Sequence, residues 1–99
     1  MMDYEHLNTM LMNEYNDVIT YVTLSKNADD SKSQIFRDIA KEEYTHAKHI
    51  KQILIEAGKL EDGFDKLEAN SKEALESVWK PIPWKKHALT ALSILSYFL

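Results

Sequence analysis

The sequence predicts an all-α protein, and two observations carry that prediction. Its 99 residues include only two glycines and two prolines, fewer than the turns of a multi-stranded sheet require. Apolar residues also recur three and four positions apart over long segments, which is the spacing of one helix face. A monomer of this size buries only about two thirds of its unfolded surface, so a partner chain is an expected source of further burial.

Three helices are expected in order along the chain. The first runs from near Asp3 to near Lys26, and the polar stretch KNADDSKS connects it to the second. Ser31 with Gln34 three residues later fits a capping box, and Gly58 fits a helix end, which gives a second helix of about 27 residues. The third follows the EDG turn and ends at WKPIPW, with an apolar stripe of Phe64, Leu67, Leu75 and Val78.

These elements divide the chain into a helical domain, residues 1–79, and an apolar C-terminal helix, residues 80–99. The apolar run from His87 to Leu99 is shorter than the roughly 20 residues that cross a bilayer as a helix. Two interpretations of this segment stay open. It is a fourth helix that packs into the core or an oligomer interface, or, because Lys85 and Lys86 follow Trp84, a boundary at a membrane surface.

Composition excludes several classes of function. The net charge of -4 argues against nucleic acid as a partner. The absence of cysteine excludes disulfides, thiolate metal sites and a cysteine nucleophile. The N-terminal stretch MMDYEHLNTM lacks the basic start and apolar run of a secretory signal, so a cytoplasmic location is expected. Any chemistry must therefore come from carboxylates and imidazoles.

Ionisable side chains interrupt the apolar stripes of both long helices. At about 100° per residue, Glu14 lies at the centre of the first stripe, which consists of Leu7, Met10, Leu11, Val18 and Tyr21. Glu43 and His46 lie in the middle of the second stripe, which is predicted to face the core and consists of Ile35, Ile39, Ile50, Ile53, Leu54 and Ala57.

An inward-facing carboxylate must protonate, pair with a charge or bind a cation, because an unpaired buried charge costs on the order of several kcal/mol. Lys41, Lys48 and Lys51 lie toward the other side of the second helix, so they offer little compensation. A metal between the two helices is therefore expected. A ligand set of carboxylate oxygens and one imidazole is more typical of iron or manganese sites than of structural zinc sites.

The segment IAKEEYTHAKHIKQIL resembles the second ligand helix of ferritin-like di-iron carboxylate proteins, especially rubrerythrins, with Glu43-x-x-His46 as the Glu-x-x-His motif. Glu14, with Tyr21 seven residues later, resembles the first ligand helix. The resemblance covers about residues 5–58 and implies an antiparallel hairpin of two long helices with shorter C-terminal helices. It further implies a di-iron cofactor, for which Mn or Zn can substitute. Its metal-binding, catalytic residues would be Glu14, Glu43 and His46, with a hydrogen bond from Tyr21 to a ligating carboxylate.

Only half of such a site occurs in the sequence, because no second Glu-x-x-His follows Gly58. The complete layout uses a Glu from each of two helices and a Glu-x-x-His from each of two others. Two copies related by a two-fold axis would supply it and complete a four-helix bundle by dimerisation. This arrangement resembles the encapsulated ferritins, so a homodimer or a higher ring oligomer is expected. An encapsulating shell is a further implied partner, although no cargo-loading peptide of the encapsulin type is visible.

Three functions follow from these interpretations. The first is a ferroxidase that oxidises Fe(II) at a site shared between two subunits, for iron storage or detoxification. The second is a rubrerythrin-like peroxide-reducing oxidoreductase, which needs an external electron donor because the chain has no cysteine. The third is a metal-free helical interaction module.

The remaining ionisable and aromatic residues are given ordinary roles. Glu42 is expected to be solvated, and His49 to be a packed or surface histidine. Tyr15 and Tyr44 are taken as ordinary helix residues. A solvated face of the third helix is predicted for Glu68, Glu73 and Glu76.

Overall fold

The computed structural model describes residues 1–79, which form three helices: α1, Tyr4–Lys26; α2, Asp30–Ala57; and α3, Asp65–Trp79. No strand occurs among these residues, so the all-α prediction is confirmed for this part of the chain. None of the three helices has the length and apolarity needed to cross a membrane. The C-terminal helix predicted for residues 80–99 lies outside the described residues.

The ends of α1 and the end of α2 lie where local sequence signals place them. Asp3 is the N-cap of α1, and its carboxylate accepts a hydrogen bond of 3.0 Å from the backbone N–H of His6. Gly58 ends α2 with a φ of 66°, a left-handed conformation that costs glycine little because it has no Cβ. Both helices are therefore capped by the chemistry of single residues.

The predicted start of α2 is wrong by two positions. Asp29, rather than Ser31, is the N-cap, and its side chain accepts a hydrogen bond from the backbone N–H of Lys32. Ser31 lies in the first turn and donates its hydroxyl to Asp29, while Gln34 donates to Asp38 instead of closing a capping box. Aspartate and serine are about equally good N-caps, so the extended backbone at Asp29, with a φ of -68° and a ψ of 168°, decides where α2 begins.

The helices α1 and α2 pack antiparallel and enclose two small cores. The first core contains residues from the earlier part of α1 and the later part of α2: Leu11, Tyr15, Ala47 and Leu54. The second core lies nearer the connection between the helices and contains Val18, Val22 and Ala40. This pairing brings the middle of α1 opposite the middle of α2.

The line of α2 that faces α1 differs from the predicted stripe. It consists of Ala40, Ala47 and Leu54, which are fully buried and seven residues apart. Ile35 and Ile53 were predicted to face the core, yet they are 57% and 42% exposed. The apolar stripe is wider than the contact with α1, so its far side remains uncovered within residues 1–79.

The third helix packs on one side of the hairpin, and its contacts show that two further predictions are wrong. Tyr15 is buried in the core, and its hydroxyl donates a 2.6 Å hydrogen bond to Glu68. Glu68 is half-buried instead of solvated, because Lys51 donates a second bond of 2.7 Å to the same oxygen. Glu73 and Glu76 are exposed, as predicted.

A buried asparagine joins α1 to the loop between α2 and α3. The amide nitrogen of Asn8 donates to the carbonyl groups of Tyr4 and Lys59 at 2.8 and 3.0 Å. Its amide oxygen accepts from the backbone N–H of Glu61 at 2.9 Å. The side chain is thus the hydrogen-bond partner of two loop groups that α1 could not otherwise reach.

We expect Asn8→Ala to lower the free energy of unfolding by about 1–3 kcal/mol, since the carbonyl of Lys59 and the N–H of Glu61 lose their partner. Urea unfolding measures the change as a lower midpoint at constant slope. The matched control is Asn13→Ala, at an exposed position of the same helix, which should change the midpoint little. Equal midpoints for the two variants would contradict the assigned role of Asn8.

Candidate metal centre

The structure brings the three predicted ligands together between α1 and α2. Glu14 lies near the middle of α1, and Glu43 and His46 lie one turn apart near the middle of α2. One ligand atom from each of the three side chains lies within 4.8 Å of the other two. The antiparallel pairing of the helices therefore assembles the cluster that the sequence predicts.

The separations between these atoms suit a shared cation. His46 Nδ1 lies 3.7 Å from Glu14 Oε2 and 3.5 Å from Glu43 Oε1. Two ligands about 2.1 Å from one ion are about 3.0 to 3.4 Å apart in octahedral or tetrahedral geometry. The observed spacing is thus close to that of a coordination sphere and slightly long for direct hydrogen bonds.

Burial leaves the carboxylates short of partners. The side chains of Glu14 and Glu43 are only 19% and 18% exposed. Glu14 Oε2 is buried and accepts no hydrogen bond within residues 1–79. A buried carboxylate oxygen without a donor is costly, and a bound cation removes that cost. This unsatisfied atom and the oxygen-rich donor set both fit a metal.

A third carboxylate adds to the negative charge of the cluster. Burial raises the pKa of Glu43, and the neighbouring carboxylate of Glu14 raises it further, while the charge of His46 opposes the shift. The pKa of Asp17 is also raised, by burial first and then by Glu43. The sequence prediction omitted Asp17, although its position one turn after Glu14 places it on the same side of α1.

The lysines of α2 lie away from this cluster, as predicted. The ammonium group of Lys41 lies 4.9 Å from the centre of the Trp79 ring, and that of Lys48 lies 5.3 Å from the centre of the Tyr44 ring. Lys51 pairs with Glu68. Their charges are engaged elsewhere, so they do not neutralise Glu14 and Glu43.

One side of the cluster is open. The side chain of His46 is 55% exposed, and it borders a surface groove of about 380 Å³ whose other lining residues are Asp38, Lys41, Glu42, Thr45 and Trp79. Ile35 and Ile53 lie on the same side of α2 as His46, and the exposed Leu24 lies on the corresponding side of α1. An apolar surface thus flanks the polar cluster on both helices.

Three other residues that the sequence analysis singled out, Tyr21, Glu42 and His49, do not contact the ligand cluster through hydrogen bonds within residues 1–79. Tyr21 is half-buried, and its ring stacks on Phe36 with 6.2 Å between the centroids. Its hydroxyl makes no hydrogen bond to Glu14 or Glu43 in the described chain, so its role beside a ligating carboxylate stays a prediction. Glu42 and His49 are exposed, as expected for residues outside the cluster.

Comparisons with protein-family models, with curated proteins and with solved structures find no match for this chain. The residues of the cluster and the open surface around them are therefore the basis of the functional assignment.

Proposed function

We propose that this chain is a ferritin-like ferroxidase that oxidises Fe(II) at a di-iron site shared between two copies. The observation that carries the proposal is the cluster of Glu14, Glu43 and His46, in which the buried Oε2 of Glu14 accepts no hydrogen bond from the described part of the chain. The cluster has the composition of half a di-iron carboxylate site, one Glu plus one Glu-x-x-His. A second copy would supply the other half.

The surface around the cluster supports a second copy as the missing partner. α3 covers the side of the hairpin that carries Tyr15 and Lys51, which lies about 80–100° around each helix from the carboxylates. Within residues 1–79 the side that carries His46 and Ile53 is left uncovered. Because the two copies are identical, a two-fold axis through this side would place the two clusters against one another and cover the exposed apolar residues.

In this proposal each residue has a role set by its position. Glu14, Glu43 and His46 would hold the metal pair, with Glu43 as the ligand shared by the two metal sites and Glu14 and His46 as ligands of one site each. Iron bound as a pair supplies the electrons that reduce O2 or peroxide. The two helices hold the carboxylates close together, and a bound cation would favour their ionised forms, which burial and mutual repulsion otherwise disfavour. Manganese and zinc suit the same oxygen and nitrogen donors.

The proposal is tested with Fe(II) supplied to the purified chain in air. We expect faster Fe(II) oxidation than in protein-free buffer and accumulation of ferric product. Prior addition of Zn(II), which has no redox chemistry and fits the same donors, should suppress the difference. Catalytic turnover of peroxide with an added reductant, without accumulated ferric product, would instead favour the peroxide-reducing oxidoreductase. Purified protein that binds neither iron nor manganese would reject both.

A further inference from the structure

A single carboxylate oxygen joins all three helices. Glu68 Oε2, on α3, accepts a 2.6 Å hydrogen bond from the hydroxyl of Tyr15, on α1. The same atom accepts a 2.7 Å hydrogen bond from the ammonium group of Lys51, on α2. We call these three side chains the Glu68 staple. Through this oxygen, polar side chains of both α1 and α2 are bound to α3, in addition to the apolar contacts that α3 makes with the two cores.

The Glu68 staple combines partial burial with charge-assisted hydrogen bonds. Tyr15 is 1% exposed, and the side chains of Glu68 and Lys51 are 31% and 26% exposed. Hydrogen bonds from Lys51 and Tyr15 lower the pKa of Glu68, while burial and then Glu68 raise the pKa of Tyr15. At neutral pH the carboxylate is therefore charged and the phenol protonated, so both hydrogen bonds are charge-assisted and stronger than neutral ones.

The staple lies at the same level of the hairpin as the candidate metal centre, on a different side. Tyr15 directly follows Glu14, and it packs in one core with Ala47, which directly follows His46. Lys51 lies five residues beyond His46, about 7.5 Å further along α2. Any change in the separation of α1 and α2 at the staple would therefore reach Glu14 through one residue of α1 and His46 through about one and a half turns of α2.

We propose that Tyr15, Lys51 and Glu68 are positioning residues that fix the separation of Glu14 and His46 for metal binding. The inference rests on the proposed metal site, and it assigns to α3 the task of setting the spacing of the ligand helices. Metal–ligand distances in protein sites lie within about 0.2 Å of their ideal values. Loss of the hydrogen bond from either Tyr15 or Lys51 to Glu68, which we call the two arms of the staple, should therefore weaken the site without removing any ligand.

The test compares Co(II) binding by the full chain and by two variants that each remove one arm, Tyr15→Phe and Lys51→Met. Co(II) affinity and the visible absorption of bound Co(II) are measured at a temperature where circular dichroism shows each variant folded. We expect about a tenfold or greater loss of affinity and an altered absorption spectrum in both variants, the scale found when groups that support metal ligands are removed.

The matched control is Asn8→Ala, which breaks the hydrogen bonds between α1 and the loop after α2, away from the ligands, and should lower stability while leaving Co(II) affinity within about twofold. Glu68→Gln should retain more affinity than Glu68→Ala, since an amide oxygen still accepts from both arms. Unchanged Co(II) affinity and spectrum in a folded Tyr15→Phe or Lys51→Met variant would overturn the positioning role. Failure of the wild-type chain to bind Co(II) would instead reject the metal site itself.

Discussion

Replacing Glu43 by alanine should abolish binding of the metal pair and leave α2 folded. Glu43 is the ligand assigned to both metals, and the substitution is present in both copies, so each of the two metal positions loses two donors. Alanine has the highest helix propensity, and the core line of Ala40, Ala47 and Leu54 does not include position 43. Metal content per chain after dialysis against iron or manganese, together with circular dichroism, measures the two effects separately.

The same substitution should stabilise the metal-free protein. Burial and the carboxylate of Glu14 raise the pKa of Glu43, which means that its charged form is disfavoured in the folded chain. Removing it also relieves Asp17, whose pKa is raised partly by Glu43. Loss of metal binding with a gain in thermal stability is the pattern expected where function imposes a cost on the fold.

Glu42→Ala is the matched control, because Glu42 is the neighbouring glutamate and is exposed. We expect it to leave metal content unchanged and stability nearly so. If the Glu43 and Glu42 variants retained the same metal content as the wild type, Glu43 would not be a ligand and the bridging assignment would be wrong.

The parts of the fold that the sequence predicts are those fixed by local chemistry. Asp3 accepts a hydrogen bond from a backbone N–H three residues away, and Gly58 adopts the left-handed conformation that ends a helix. The start of α1 and the end of α2 can therefore be predicted from single residues. The start of α2 was misplaced because Asp29 and Ser31 both present capping groups, and choosing between them requires the backbone conformation. An error of two residues at the end of a long helix does not change the predicted fold.

The contacts that cross between helices were not predictable in the same way. Tyr15 and Glu68 are 53 residues apart, and nothing local to either marks them as partners. The apolar stripe of α2 was centred on Glu43 and His46, whereas its contact with α1 follows small alanines that contribute little to a hydropathy pattern. The ligand cluster was predictable because its spacing along α2 is local and its two helices are joined by a short turn.

The exposed half of the α2 stripe leads to the prediction that metal binding and dimerisation are thermodynamically linked. Each chain offers three candidate ligands, so in the proposed site one copy alone would leave a metal undercoordinated, whereas two copies would complete the set. Metal should then bind the dimer more tightly than the monomer, and by linkage metal must strengthen dimerisation by the same factor, about five- to 150-fold for a typical coupling. Without metal, Glu14 and Glu43 of the two copies would repel one another across the axis.

Two isoleucines of α2 provide a matched test of this linkage. Ile53 lies seven residues after His46 and shares its side of the helix, while Ile55 lies nine residues after His46, on the opposite side. They are similarly exposed, 42% and 51%, so lysine is tolerated comparably at both positions in the monomer. Neither is a ligand, and any effect on metal must therefore act through the second copy.

Sedimentation at low protein concentration, with and without Mn(II) or anaerobic Fe(II), measures both sides of the linkage. We expect metal to shift the wild-type chain toward the dimer. Ile53→Lys should weaken dimerisation and metal binding together, because a lysine at the covered face must be desolvated beside a like residue from the other copy. Ile55→Lys should change neither. An oligomer distribution indifferent to metal would leave either a metal-free bundle or a site completed within one chain. An Ile53→Lys variant with weakened dimerisation and wild-type metal affinity would show that the site does not need the second copy, since the coupling between two copies cannot act in one direction only.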